Sequence, residues 1–449
     1  MKTYSLLFVI TTTMLVCPPV NAQVPYTYAA SLTNGSNVRS VTAADVNNDG
    51  KPDLVCVRGI ASTLYVWTNS GGGIFVSNAN YSVGNYPFQV VAADVNNDGW
   101  PDLITANNSG KSLTVLTNDD AGRFVLASTL PLGSPSAPQS VVAADFNGDG
   151  RLDLVCANSQ SASFTVWTNS GGGIFVSNVT FTVGAAQSIV PKWVTTADIN
   201  GDGKPDIIGA CNNAGASFLF GWTNNGVGGF ASAPMPFISS GLVCVTPADV
   251  NGDGKVDLIL LSSQVTVVTN NGAGTFAVSG NSTVGSNPYA VIAADVNGDE
   301  MVDAITCNQG DGTLTVLTNN GRGILGFNAT LNVGSIPPSL IGSAPESLTA
   351  ADVSGDGRMD LISGNWNDGT LTVLTNAATF LPKLTLKCSG NTVLVSWPAV
   401  WANWTLKQNT RLSAAGWTSF SDPIGNDGIT LTATNELPSA DCFFRLSSP

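Results

Sequence analysis

Ala43-Ala44-Asp45-Val46-Asn47-Asn48-Asp49-Gly50-Lys51-Pro52-Asp53 is the stretch whose recurrence decides the architecture. It returns in altered form with its leading aspartate at 94, 145, 198, 249, 295 and 352, so seven copies stand about 51 residues apart. That period is too long for most helical repeats and suits a four-stranded propeller blade. One unit reads Val90 to Ala93, the acidic loop, Leu103 to Ala106, a polar turn, Leu113 to Thr117, a Gly/Asp turn, then Phe124 to Leu130. These are four short strands separated by turn chemistry. Third strands recur as Leu64 to Thr68, Phe164 to Thr168, Val265 to Thr269, Leu314 to Thr318 and Leu371 to Thr375, and nothing from residue 23 onward carries a 3.6-residue period. The fold class is all-β, a seven-bladed propeller over residues 23–380. The seventh unit lacks its own fourth strand, whereas Tyr26 to Leu32 precedes the first motif and looks like one. Closing the ring with it would remove the open sheet edges that invite aggregation.

Each acidic loop follows Asp-x-Asn-x-Asp-Gly-x-x-Asp, which places oxygen side chains at positions 1, 3, 5 and 9. Such donors suit a hard cation, and calcium takes about six to eight oxygens. The candidate ligands are Asp45, Asn47, Asp49 and Asp53; Asp94, Asn96, Asp98 and Asp102; Asp145, Asn147, Asp149 and Asp153; Asp198, Asn200, Asp202 and Asp206; Asp249, Asn251, Asp253 and Asp257; Asp295, Asn297, Asp299 and Asp303; Asp352, Ser354, Asp356 and Asp360. Glycine at position 6 permits a positive-φ turn. The sixth loop has Glu300 there, and the seventh has Ser354 at position 3, so five loops read as good sites and two as doubtful. The bidentate Glu of an EF-hand is missing and the flanks are strands. The ligand aspartates of these loops make up 21 of the 31 acids; loss of Lys2 with the leader would take the net charge from −14 to −15, which seven divalent ions would nearly cancel. The same ion in every blade is structural rather than catalytic. Good turn chemistry alone would explain one Asp/Asn/Gly loop, but not seven aligned ones.

The chain of 449 residues has 43% apolar and 11% charged residues, enough for a large core. It contains no histidine, which removes Ser-His-Asp and Cys-His nucleophile systems and His-ligated zinc sites. The excess of acids over 17 bases argues against nucleic acid as a partner. Residues 1–22 read as a secretory signal, with Lys2, an apolar run from Leu6 to Val16, and cleavage after Ala22; a lipid anchor at Cys17 competes, although Val16 is a poor residue to precede it. No other run is long enough for a transmembrane segment. The mature chain is expected to be secreted, at the cell surface or periplasmic. Seven cysteines remain, and an odd number cannot pair completely; Cys388 and Cys442 could close a small domain, while the others read as buried thiols.

Together with Gly-x-Phe hairpins such as Gly173-Ile174-Phe175 and Gly274-Thr275-Phe276, the seven loops resemble FG-GAP/VCBS repeats, as in the integrin α-subunit head and many secreted bacterial proteins. That resemblance implies calcium in the hairpins between first and second strands, and a recognition scaffold more often than an enzyme. It also implies ligand binding on the opposite rim. The candidate ligand residues there are Tyr86, Phe88, Trp193, Tyr289 and Trp366, with Asn107, Asn108, Lys111, Lys192, Asn212, Asn213 and Asn365 nearby. Aromatic rings beside amides suit a sugar. The alternative for each aromatic is packing between blades, which is also the reading of Phe175, Phe230 and Phe276.

Past Phe380-Leu381-Pro382 the composition shifts. The last 66 residues hold four of ten tryptophans (Trp397, Trp401, Trp404 and Trp417) but only four of 48 glycines, so a second domain spans 384–449. Five short strands suggest a small β-sandwich, loosely similar to fibronectin-like modules. Two functional readings follow. The leading one is a binding or adhesion protein for an extracellular polysaccharide or protein, with no catalytic residues. The rival is a polysaccharide lyase or hydrolase, and hydrolysis needs two carboxylates in one cleft. Outside the loops the propeller offers Asp119, Asp120, Asp311, Glu346 and Asp368, and whether the last three gather around the central opening distinguishes the readings.

Overall fold

The computed structural model describes residues 23–377, except 34, 36, 120, 185–188, 214–215, 237–240 and 335–342, and the strands between 385 and 447. The chain separates into two compact units, Gln23–Ala378 and a second containing Thr379–Pro449.

The first unit consists of seven four-stranded antiparallel sheets. Blade 1 is Val38–Ala44, Asp53–Arg58, Thr63–Asn69 and Phe75–Ser82, and blades 2 to 6 repeat this order along the chain. Blade 7 is assembled from both ends. Pro345–Ala351, Asp360–Asn365 and Thr370–Asn376 are completed by Tyr26–Thr33, with Tyr26 opposite Asn376 and Thr33 opposite Thr370. The first strand of each blade neighbours those of the two adjoining blades in a closed cycle, so these seven strands surround a central channel. Second strands such as Asp102–Asn107 are buried on both faces, and fourth strands such as Phe75–Ser82 face solvent on one side.

The core lies between blades. Leu103, Leu116 and Phe124 pack against Val55, Leu64 and Val66 between blades 1 and 2. Leu32 joins Leu371 and Val373 against Val38 and Leu54 between blades 7 and 1, which anchors the closing strand. Phe175 is buried in such a layer, and Phe230 and Phe276 pack against others, as hairpin core residues should. Cys56, Cys156, Cys211, Cys244 and Cys307 are buried thiols.

The C-terminal unit has a four-stranded sheet (Thr385–Ser389, Thr392–Pro398, Thr430–Glu436, Ile424–Asn426) and a three-stranded one (Thr418–Ser419, Thr405–Asn409, Phe443–Ser447). Val395, Leu406, Leu431 and Ala433 are buried, which fits a small sandwich. Two strands, Thr385–Ser389 and Ile424–Asn426, were not anticipated from sequence. The Cys388–Cys442 pair, the signal segment and the clustered tryptophans lie outside the described residues or side chains. No helix among the described residues is long and apolar enough to cross a membrane.

Candidate functional site

Two features mark opposite ends of the first strands: the acidic loop at the C-terminal end of each, and a bulged residue near the start of six of them.

The loops are closed by their own hydrogen bonds. In blade 3, Asp145 Oδ1 accepts from the amides of Gly148 (2.7 Å) and Asp149 (3.2 Å), and Oδ2 from Gly150 (2.8 Å). Asn147 Oδ1 accepts from Asp149 N at 2.9 Å. The position-5 carboxylates turn toward the basic residue at position 7 in five loops, as in Asp149–Arg151 (2.5 Å) and Asp49–Lys51 (3.2 Å). Position 9 behaves differently from the rest. Asp153 is 1% exposed, its Oδ2 accepts from Phe146 N (3.2 Å), and its Oδ1 accepts from Asn169 N (2.7 Å) at the end of the third strand. Asn169 Nδ2 then donates to the Val95 carbonyl of the preceding blade at 2.7 Å. Burial pushes these carboxyls up, Asp53 and Asp102 to about 6 and Asp303 to about 7, against the pull of the amides they accept from.

Among the described residues no three acidic or cysteine side chains gather as a metal cluster. The donor set nonetheless fits a hard cation. Position 5 is exposed at the loop tip with positions 1 and 3 half-buried beside it, and a carboxylate oxygen that accepts one N–H, such as Asp145 Oδ2, retains a second lone pair. Position 6 takes positive φ, +81° at Gly50 and +80° at Gly150, and Glu300 is held at +68° in the sixth loop.

At the other end, one residue near the start of the first strand is skipped in the pairing with the second strand in six blades: Arg39, Phe88, Gln139, Lys192, Tyr289 and Glu346, the second residue of the strand in each but Lys192, the third of Val190–Ala197. Val243 is its counterpart in blade 5. A bulge of this kind re-aims one side chain. All seven line a cavity of about 540 Å³ in the channel, together with Gln89, Trp193, Asn212 and Gln309. The residue two places earlier takes left-handed φ at Asn37, Tyr86, Ala137, Gly241, Asn287 and Ala344. Positive φ at Tyr86 is sterically costly and survives because its surroundings hold it, as when its carbonyl accepts from Asn108 N at 2.9 Å.

Arg39 organises one side of this mouth. Its guanidinium lies 3.7 Å from the Trp366 ring centre, 4.6 Å from Phe88 and 5.3 Å from Tyr86, contacts that favour a cation over an aromatic face. Nη2 donates to Tyr86 Oη (2.7 Å) and Nη1 to Glu346 Oε2 (2.5 Å), while Gln309 Nε2 donates to Glu346 Oε1 (2.6 Å). Burial raises the Glu346 carboxyl, and Arg39 partly offsets this. Across the cavity, burial draws the Lys192 ammonium downward.

Phe88, Trp193 and Tyr289 therefore line the channel, and Tyr86 and Trp366 flank Arg39. Trp193 also packs against the layers on both sides of blade 5, so contact with the cavity and packing between blades are not exclusive. Asn107 and Asn365 need correction as ligand-facing amides. Both are fully buried, and each donates to two hydroxyls, Ser112 and Thr114 or Thr370 and Thr372. Lys111 is tied to Ser134 at 2.8 Å. The three distinguishing acids do not gather. Glu346 is the one carboxylate among the described residues of the cavity lining; Asp311 accepts from the amide and hydroxyl of Ser286 elsewhere, and Asp368 accepts from Thr370. Asp119 pairs with Arg123 in an exposed hairpin, and Asp120 lies outside the described residues. Sequence reading missed Arg39, Gln139 and Val243. A usable signal was present: proline precedes this channel-lining residue in five blades, and the residue itself differs in every blade.

A family model described as FG-GAP-like repeat matches residues 45–105, 94–156, 145–209, 198–260, 249–306 and 295–363. No curated protein matches the chain. Among solved structures, BBS1N in complex with ARL6DN, soaked with lead, is similar at 13% identity and TM-score 0.58, covering 80% of this chain and 99% of that one; the mercury soak of the same complex gives 0.57. A lectin of Agrocybe aegerita, described for specific recognition of non-reducing terminal N-acetylglucosamine, is 21% identical with TM-score 0.46 over 66% of this chain and 80% of that one.

Proposed function

Given that the chain belongs to the family of FG-GAP-like repeat proteins, we propose that it is an exported, calcium-stabilised propeller that binds an extracellular polysaccharide or protein at the mouth of its central channel, on the rim opposite the acidic loops. One observation carries this reading: six bulged residues and Val243, their counterpart in blade 5, converge on one cavity from an otherwise repeated framework, and all seven differ in kind. A framework needs the same residue in every blade; a recognition site needs different ones. In this reading the leading segment directs export, and positions 1, 3, 5 and 9 of each loop hold calcium. The ion would neutralise the clustered carboxylates and stiffen the hairpin between first and second strands. The rival enzymatic reading requires paired acids, and the single carboxylate in the described lining, Glu346, is already committed to Arg39. Retention on a panel of immobilised polysaccharides, with chain length followed in parallel, tests the proposal. Retention with unchanged chains supports binding, and shortened chains support the enzyme.

A further inference from the structure

The channel mouth is positively charged inside a strongly acidic protein. Three charged side chains line it among the described residues: Arg39, Lys192 and Glu346. Arg39 and Glu346 neutralise one another at 2.5 Å. Lys192 is half-buried, and no carboxylate lies within ion-pair distance of it among the described residues. A partly desolvated ammonium without a counter-charge is costly, and an incoming anion would relieve that cost. Trp193, Gln139 and Asn212 line the cavity as well. A ring, two amides and a cation match the apolar face, hydroxyls and carboxylate of an acidic sugar.

We infer that the channel mouth recognises a carboxylate-bearing sugar residue of an acidic polysaccharide, with Lys192 taking the carboxylate and Trp193 the ring face. This rests on the binding reading above. An acidic peptide would satisfy Lys192, yet it lacks the vicinal hydroxyls that two amides beside an aromatic ring suit.

The test uses the full calcium-loaded chain against polygalacturonate, alginate and hyaluronan, each beside its methyl ester, with neutral polysaccharides and poly-glutamate in the same series. The expected result is retention of at least one acidic glycan with roughly tenfold preference over its ester, the scale of one charge-assisted hydrogen bond. Lys192→Met should erase that preference, and Lys192→Arg should keep most of it with an unchanged melting temperature. Equal binding of acid and ester, or an undiminished preference in Lys192→Met, overturns the inference. Retention of neutral glycans alone overturns it while leaving the binding reading in place, preference for poly-glutamate replaces the sugar with a peptide, and no retention of any probe counts against both.

Discussion

The side-chain amide of Asn69 donates to the carbonyl of Val353 at 2.9 Å, joining blade 1 to blade 7 across 284 residues of sequence. The Asn69 backbone amide is held by Asp53 Oδ1 at 2.7 Å. The same bond links Asn118 to Val46, Asn169 to Val95, Asn224 to Phe146, Asn270 to Ile199, Asn319 to Val250 and Asn376 to Val296. Seven identical bonds run once around the ring, each placed by the last aspartate of an acidic loop.

Asn69→Ala should therefore cost about 1–3 kcal/mol of stability, because it leaves the buried Val353 carbonyl without this donor. Urea unfolding of the calcium-free protein measures it, and Asn169→Ala should lose a similar amount. A loss at neither site would mean the bonds do not couple the blades.

The repeat was legible because its signature is local. Asp, Asn and Gly at fixed offsets in a short loop report turn geometry directly, and the alternation of Leu113 to Thr117 reports a strand. The closing strand was legible from counting, since Tyr26–Thr33 supplies what the seventh unit lacks. The role of position 9 was not. As a string, Asp53 looks like Asp45 and Asp49, and only the fold shows that it is buried against Asn69, sixteen positions on. The mouth was half legible. Aromatic residues mark Phe88, Trp193 and Tyr289, but the bulge is signalled only by a preceding proline, visible when the blades are aligned and absent before Arg39, so Arg39 and Gln139 were not legible as lining residues.

Positions 5 and 9 of one loop should separate in mutagenesis. In chelator, Asp98→Asn should melt like the unmodified protein, since Asp98 lies exposed at the loop tip. Asp102→Ala should lose about 1–3 kcal/mol even without calcium, because the amides of Val95 and Asn118 lose their acceptor. With calcium present, Asp98→Asn should gain less stability from the ion than the unmodified chain does. Calorimetric melts with and without chelator decide the matter.

The sixth loop holds Glu300 at φ +68°, where six sister loops place glycine. Glu300→Gly should raise stability by about 1 kcal/mol if relief of strain outweighs the extra freedom of the unfolded chain. It should also strengthen calcium binding at that loop, which titration calorimetry on the two proteins would reveal. Unchanged stability and affinity would show that the side chain is accommodated without cost.

Glu346 supplies a pH dependence whose sign is fixed by burial. Its carboxyl is raised above the ordinary 4.5, so the stability tied to its protonation is fully present below that value and is lost as pH climbs through the folded-state value. The advantage of the unmodified protein over Glu346→Gln should shrink over that interval, and denaturant titrations at successive pH values measure it. A constant difference would place Glu346 in an ordinary solvated setting.

The central claim is that the channel mouth binds a ligand and leaves it intact. Its most direct measurement is retention of the calcium-loaded chain on immobilised polysaccharides, with polysaccharide chain length followed, comparing the unmodified protein with Trp193→Ala at the mouth and Asp98→Asn at the opposite rim. The account predicts retention on at least one glycan with unchanged chain length, lost in Trp193→Ala and kept in Asp98→Asn. Shortened chains, or retention indifferent to Trp193, would contradict it.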